Sequence, residues 1–244
     1  MSQKDRYISK VLGIKLDITR KKEVLKKVES WLMANRGKRY IVTPNPEMVM
    51  LGQSDEEFKR ALNGADIAIP DGIGLRLADK RLKRVTGVEV MEGLVRLSAK
   101  KAWRVMLVGG KRGMAVKAAE GLRQRYGNLR IEAEAGPQQM EKATAAEKRK
   151  LVEKINQFKP ELLFVGLGHG KQEKWIARNL AKLEVKVAMG VGGAIDYMVK
   201  PWLQAPKILR LMGLEWWWRL MLQPWRIKRQ LALVKFMWLV VRKR

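Results

Sequence analysis

The chain has 244 residues, 47% of them apolar, enough for one large domain or two intimate lobes with a sizeable core, and the composition excludes a disordered chain. It contains no cysteine, which excludes a disulfide framework and a thiolate metal site. Fifty-one lysines and arginines against 24 aspartates and glutamates give a formal net charge of +27, which favours nucleic acid, acidic lipid or phosphorylated substrates without choosing among them.

The first ten residues, MSQKDRYISK, lack the apolar core of a signal peptide. No run reaches the length of apolar sequence needed to cross a bilayer, so any membrane contact is expected to be peripheral. Residues 20–35 read as a helix. There follow several units of a short apolar strand, a Gly- or Pro-rich turn and an amphipathic helix. The first is KRYIVT-PNP-EMVMLGQSDEEFKRAL and the second ADIAI-PDGIG-LRLADKRL. WRVMLVGG-KRGMAVKAAEGLRQRYG and ELLFVGLGHG-KQEKWIARNLAKL follow, and VKVAMGVGGAIDYMV supplies a fifth strand and turn. Residues 141–158 read as a solvated crossover helix. Continuous apolar strands alternating with helices predict an α/β fold: a Rossmann-like, mostly parallel sheet covered on both faces.

In such a sheet ligands bind beyond the carboxyl ends of the strands, which gives the five turns a common mouth. Asp71 follows Ile67, Ala68, Ile69 and Pro70 at one strand end. A carboxylate there can accept a proton from an attacking hydroxyl, or simply cap the next helix. Thr43 and Asn45 sit in a similar turn and suit sugar hydroxyls, turn formation or capping. The glycines of GGK and GLGHG, with those of GVGG, can bring backbone N–H groups to a diphosphate. The candidates are Gly109, Gly110, Lys111, Gly166, Gly168, Gly190 and Gly192. Neither a Walker loop nor a complete GxGxxG is present, which speaks against ATP hydrolysis and NAD. Gln172 can reach a ligand from the first turn of its helix, where Glu173 reads as a cap and Trp175 as packing. Asp196 is an acidic candidate that can equally seat a helix. His169 is the only histidine, and neither DxD nor HExxH occurs, so no metal and no cofactor is expected.

From Pro201 the pattern changes to helices interrupted at Pro224, an appendage of one broken or two short helices. Residues 201–244 hold six of the nine tryptophans, and ten lysines and arginines against one glutamate. Ile227, Leu231, Val234, Trp238 and Val241 recur at alternating spacings of four and three and form one apolar face beside a basic surface. Such a helix lies in an anionic membrane interface. Packing on its own domain or on a second subunit is the competing reading; nucleic-acid binding is disfavoured, because no zinc-finger, helix-turn-helix or RNP pattern accompanies the charge.

Taken together, TPNPE, ADIAIPDGIG, RVTG, VMLVGG, FVGLGHGKQEKW, MGVGGAID and QAPKILRLMGLEWWWRLMLQPWR resemble the bacterial WecG/TagA family of glycosyltransferases over roughly residues 40–229. The resemblance implies an inverting, metal-independent transfer from a UDP-sugar donor to a polyprenyl-diphosphate-linked sugar, for bacterial surface polysaccharides. It implies a catalytic domain over 1–200 and a membrane-associating helical appendage over 201–244, peripheral on the cytoplasmic face of the cell membrane. By motif match Asp71 resembles the catalytic base. Thr43, Asn45 and Gln172 resemble pocket residues, and Arg219, Arg226 and Arg229 the arginines that the appendage supplies. His169-Gly170, Gln204 and Gln223 depart from the family pattern, and the donor sugar is left open among N-acetylmannosamine, its uronic acid and related hexoses. A non-catalytic basic or nucleic-acid-binding protein is the alternative class, and homo-oligomerisation is left open.

Overall fold

A computed structural model describes residues 7–34, 37–110, 113–137, 140–224 and 227–242. Strands β1 (Ile8–Val11) and β2 (Ile14–Asp17) form an antiparallel hairpin closed by Leu12 and Gly13, both at positive φ as a two-residue turn requires. Helix α1 (Lys21–Ala34) buries Val24, Val28 and Leu32 at successive four-residue steps. There follow β3 (Arg39–Val42), α2 (Pro46–Leu51), α3 (Glu56–Asn63), β4 (Ile67–Ala68), α4 (Leu75–Ala78) and α5 (Gly87–Lys101). The next elements are β5 (Val105–Gly109), α6 (Met114–Arg125), β6 (Ile131–Glu134) and α7 (Ala145–Phe158). After them come β7 (Leu162–Gly166), α8 (Lys171–Asn179), β8 (Val187–Gly190) and α9 (Ala194–Val199). Helices α10 (Lys207–Leu211), α11 (Glu215–Leu222) and α12 (Ile227–Arg242) close the chain's described part.

Strands β3 to β8 form one sheet in the order β4-β3-β8-β7-β5-β6, every neighbouring pair parallel. Successive strand residues go to opposite cores, because side chains alternate across a strand. Val42, Met106, Val108, Leu163, Val165 and Ala188 join one cluster with α2, α3, α7, α8 and α12. Ile41, Val105, Leu107, Leu162, Phe164, Val187 and Met189 join the other with α1, α5, α6 and α9. Two apolar faces on almost every strand explain the continuous hydrophobic runs, and the sheet is Rossmann-like, as expected.

The differences from the sequence reading have local causes. Residues 46–63 form two helices because the Gly52 N–H closes α2 onto the Met48 carbonyl, while the Asp55 carboxylate opens α3 on the Phe58 N–H. The second unit shrinks to a two-residue strand and a single helical turn; its real partner helix is α5, nucleated by the Thr86–Glu89 capping box within RVTGVE. Hairpin β1–β2 and edge strand β6, whose sequence IEAE has charged alternate positions, were not anticipated. In the C-terminal segment Gly213, at φ +77°, separates α10 from α11, so three helices stand where one or two were expected.

Helix α12 packs along α2, with Phe236 and Val240 buried in the first cluster. The outward face is the one read from the spacing: Ile227, Leu231, Val234, Trp238 and Val241 are 53–72% exposed. The opposite faces of one helix are therefore both apolar, one covered and one not. Phe236→Ala is expected to cost about 3–5 kcal/mol of stability, the range for emptying a buried aromatic site, and thermal or denaturant unfolding measures it.

Candidate active site

The carboxyl ends of β3, β4, β7 and β8 bring five of the predicted residues into one cleft. Thr43 and Asn45 follow β3, Asp71 follows β4, Gln172 opens α8 after β7, and Gly192 follows β8; all five line the cleft. Each is delivered by a strand end. The Asp71 N–H donates to the Pro44 carbonyl at 2.8 Å, and its Oδ2 accepts from the Gly87 N–H at 3.1 Å. The carboxylate thus sits at the N-terminus of α5, whose dipole favours negative charge. The sequence reading posed a base or a cap of the next helix; that helix, α4, is capped by Gly74 with no side-chain bond, and the Asp71 contact is instead with the start of α5.

Asn45 does cap the helix that follows it. Its Oδ1 caps α2 by accepting from the Met48 N–H at 2.9 Å, and the residue also lines the cleft. Thr43 is buried against Gly87, where an added Cβ would come within 3.1 Å of its methyl. Gln172 is buried, with Oε1 accepting from the Gly192 N–H at 3.1 Å and Nε2 donating to Glu173 at 2.7 Å. Trp175 is buried packing, as expected.

Gly109, Gly110, Gly166, Gly168 and Gly190 are not among the lining residues. The ends of β5, β7 and β8 meet backbone to backbone: a Cβ on Gly109 would stand 2.5 Å from the Gly166 carbonyl oxygen, and one on Gly166 would stand 2.9 Å from that of Gly192. Close strand-end packing is the physical demand for glycine there. Lys111 and Arg226 lie outside the described residues. Arg219 and Arg229 fall on α11 and α12, with side chains outside the described set. Asp196 lies in the first turn of α9 and does not line the cleft. Among the described residues no group of three or more His, Asp or Glu is arranged to hold a metal ion.

The sequence reading missed Gly87 and Val88 at the start of α5, Val191, Gly193 and Ala194 after β8, and Tyr197 on α9, which also line the cleft. It noted His169 without assigning it a role. His169 belongs to this cleft and to a second, wider one of about 420 Å³ between α2 and α12, lined also by Met48, Met50, Leu51, Ala232 and Lys235. The first cleft has a volume of about 40 Å³, room for reacting groups rather than for a whole sugar nucleotide.

Behind the lining, burial pushes the Glu173 carboxyl up to about 7 from its ordinary 4.5, against the opposing effect of its hydrogen bonds. The folded protein therefore holds a proton that the unfolded chain releases between about 4.5 and 7. The linked stability is fully present below 4.5 and is lost as pH rises through about 7. Denaturant unfolding at about pH 5 and about pH 8 should show wild type losing roughly 2–3 kcal/mol that Glu173→Gln does not lose.

A parallel α/β sheet with a polar, carboxylate-bearing cleft at its carboxyl edge defines a Rossmann-like body with a cleft where ligands usually bind in that fold. Residues 9–244 match the profile described as Glycosyl transferase WecG/TagA/CpsF family, and the chain belongs to that family of glycosyltransferases. Similar proteins include the N-acetylglucosaminyldiphosphoundecaprenol N-acetyl-beta-D-mannosaminyltransferases of Staphylococcus aureus strains MRSA252 and NCTC 8325 / PS 47. Each is 30% identical over 239 residues, covering 95% of this chain and 91% of the relative.

Proposed function

We propose that the protein transfers N-acetylmannosamine, its uronic acid or a related hexose from a UDP-sugar to a polyprenyl-diphosphate-linked sugar, with inversion at the anomeric carbon. The observation that carries this reading is the convergence of Thr43, Asn45, Asp71 and Gln172 on one cleft in a chain similar along nearly its full length to transferases of that name. Asp71 takes the proton of the acceptor hydroxyl while that oxygen attacks the sugar from the face opposite the departing UDP. The acceptor oxygen gains the glycosidic bond, UDP leaves with the old bond's electron pair, and a single base suffices. Thr43, Asn45 and Gln172 hydrogen-bond the sugars. Backbone N–H groups of the glycine turns other than those of Gly110 and Gly192, which donate to Gly166 and Gln172, meet the donor diphosphate together with Lys111, and Arg219, Arg226 and Arg229 meet the acceptor's. We assign catalysis to residues 1–200 and completion of the site to residues 201–244.

The exposed apolar stripe of α12, with Trp216, Trp217 and Met221 of α11 also exposed, supports peripheral docking on an anionic membrane at the cytoplasmic face, where a polyprenyl acceptor would be held. No helix among the described residues is long and apolar enough to cross a membrane. Mass analysis after incubation with a panel of UDP-sugars and a short-chain polyprenyl-diphosphate N-acetylglucosamine tests the reaction and identifies the donor together. A product larger than the acceptor by one sugar residue is expected; no product with any donor would defeat the reading.

A further inference from the structure

Glu173 is fully buried, and its two described hydrogen-bond partners beyond its own backbone are amide groups. The Gly170 N–H donates to Oε2 at 2.9 Å, and Gln172 Nε2 donates to Oε1 at 2.7 Å. The chain of contacts continues through Gln172, whose Oε1 accepts from the Gly192 N–H at 3.1 Å. A side-chain amide is nearly isosteric end to end but has a donor at one end and an acceptor at the other, so its partners set its orientation. With the Glu173 carboxyl ionised, turning the Gln172 amide over would aim its oxygen at a carboxylate oxygen and its NH₂ at the Gly192 N–H, replacing two attractive contacts by two repulsive ones.

We propose that Glu173 is a positioning residue: its carboxylate holds the Gln172 carboxamide in one orientation, with the second N–H of Nε2 presented to an acceptor oxygen of the ligand in the cleft. The ligand group recognised is therefore a hydroxyl or carbonyl oxygen, and Gln172 serves it as a donor. Through Gly170, Gln172 and Gly192 this buried carboxylate also ties together the loop carrying His169, the first turn of α8 and the turn after β8, all of which contribute to the cleft. The strand end keeps room for the pair: a Cβ on Gly190 would lie 3.1 Å from Gln172 Nε2 and 3.3 Å from Glu173 Oε1. Calling the ligand a substrate rests on the transferase reading above; the orientation of the amide does not.

Three measurements test it. In Glu173→Gln the new amide nitrogen sets donor against donor at Gly170, at Gln172 Nε2 or, if Gln172 turns over, at the Gly192 N–H, and kcat/KM measured at about pH 8, where wild-type Glu173 is ionised, is expected to fall about ten- to hundredfold. The exchanged pair, Gln172→Glu with Glu173→Gln, can rebuild all three hydrogen bonds with donors and acceptors matched, but it has no N–H left for the ligand. Its melting temperature should be near that of wild type while its kcat/KM stays at least as low as in Glu173→Gln. Wild-type kcat/KM in a folded form of either variant would overturn the proposal, as would an exchanged pair that does not fold. Independently of activity, the Gln172 side-chain amide in ¹⁵N NMR should exchange slowly with solvent and should move in Glu173→Gln; an unmoved signal would also overturn it. Absence of transfer by wild type with every donor would count against the transferase reading alone, and the NMR result would still stand.

Discussion

Asp71→Asn is expected to reduce sugar transfer by about 10²–10⁴-fold, the usual contribution of a general base, while UDP binding by calorimetry stays unchanged. Asparagine keeps the shape and can still accept from the Gly87 N–H with its oxygen, so the start of α5 remains anchored. What it lacks is a basic oxygen for the acceptor's proton. Near-normal turnover in the folded variant would remove Asp71 from the chemistry and leave it as the group that joins the β3 turn to α5. Loss of UDP binding alongside turnover would show that the substitution disturbs the donor site and would move the base elsewhere.

Placing glutamates at Leu231, Val234 and Trp238 together is expected to abolish flotation with anionic vesicles and leave the melting temperature close to that of wild type. All three are more than half exposed, so their replacement removes little from the core. Each large apolar side chain buried at a lipid interface contributes about 1.5–3 kcal/mol, and three acidic groups facing anionic lipid add repulsion, so binding should drop by well over about a hundredfold. Truncating residues 201–244 is a poorer experiment. It would strip Phe236 and Val240 from the core they share with α2, and a loss of flotation would then report unfolding as readily as lost contact. Persistent flotation by the folded triple variant would place the membrane contact on another surface. A change from dimer to monomer in sedimentation, with flotation unaltered, would instead identify a second copy of the chain as what covers the stripe.

Much of this site was legible in sequence because strand ends announce themselves. An apolar run followed by Pro or Gly locates the carboxyl edge of a parallel sheet, and that rule alone puts Thr43, Asn45, Asp71, Gln172 and Gly192 at one edge. The outward stripe of α12 was legible for a similar reason: spacings of four and three define a helical face whatever the helix packs against. The inner face was not, since Phe236 and Val240 gain their meaning from α2, almost two hundred residues earlier. Helix α5 went unread although its Thr86–Glu89 capping box is a local signal; what no local pattern shows is that the box lies against Asp71. Gly87 and Val88 were missed with it.

The sequence by itself determined the alternation of apolar strand, turn and helix, the excess of basic charge, the outward face of the last helix and the family resemblance, because each is written in local order and periodicity. Tertiary structure alone decided which turns share a cleft, that Asp71 meets the start of α5, that α12 covers the body with one face while exposing the other, and that Glu173 is buried behind Gln172. Those facts depend on parallel strand order and on contacts between distant segments. Local side-chain patterns constrain such contacts only weakly, and close packing of the whole chain selects among them.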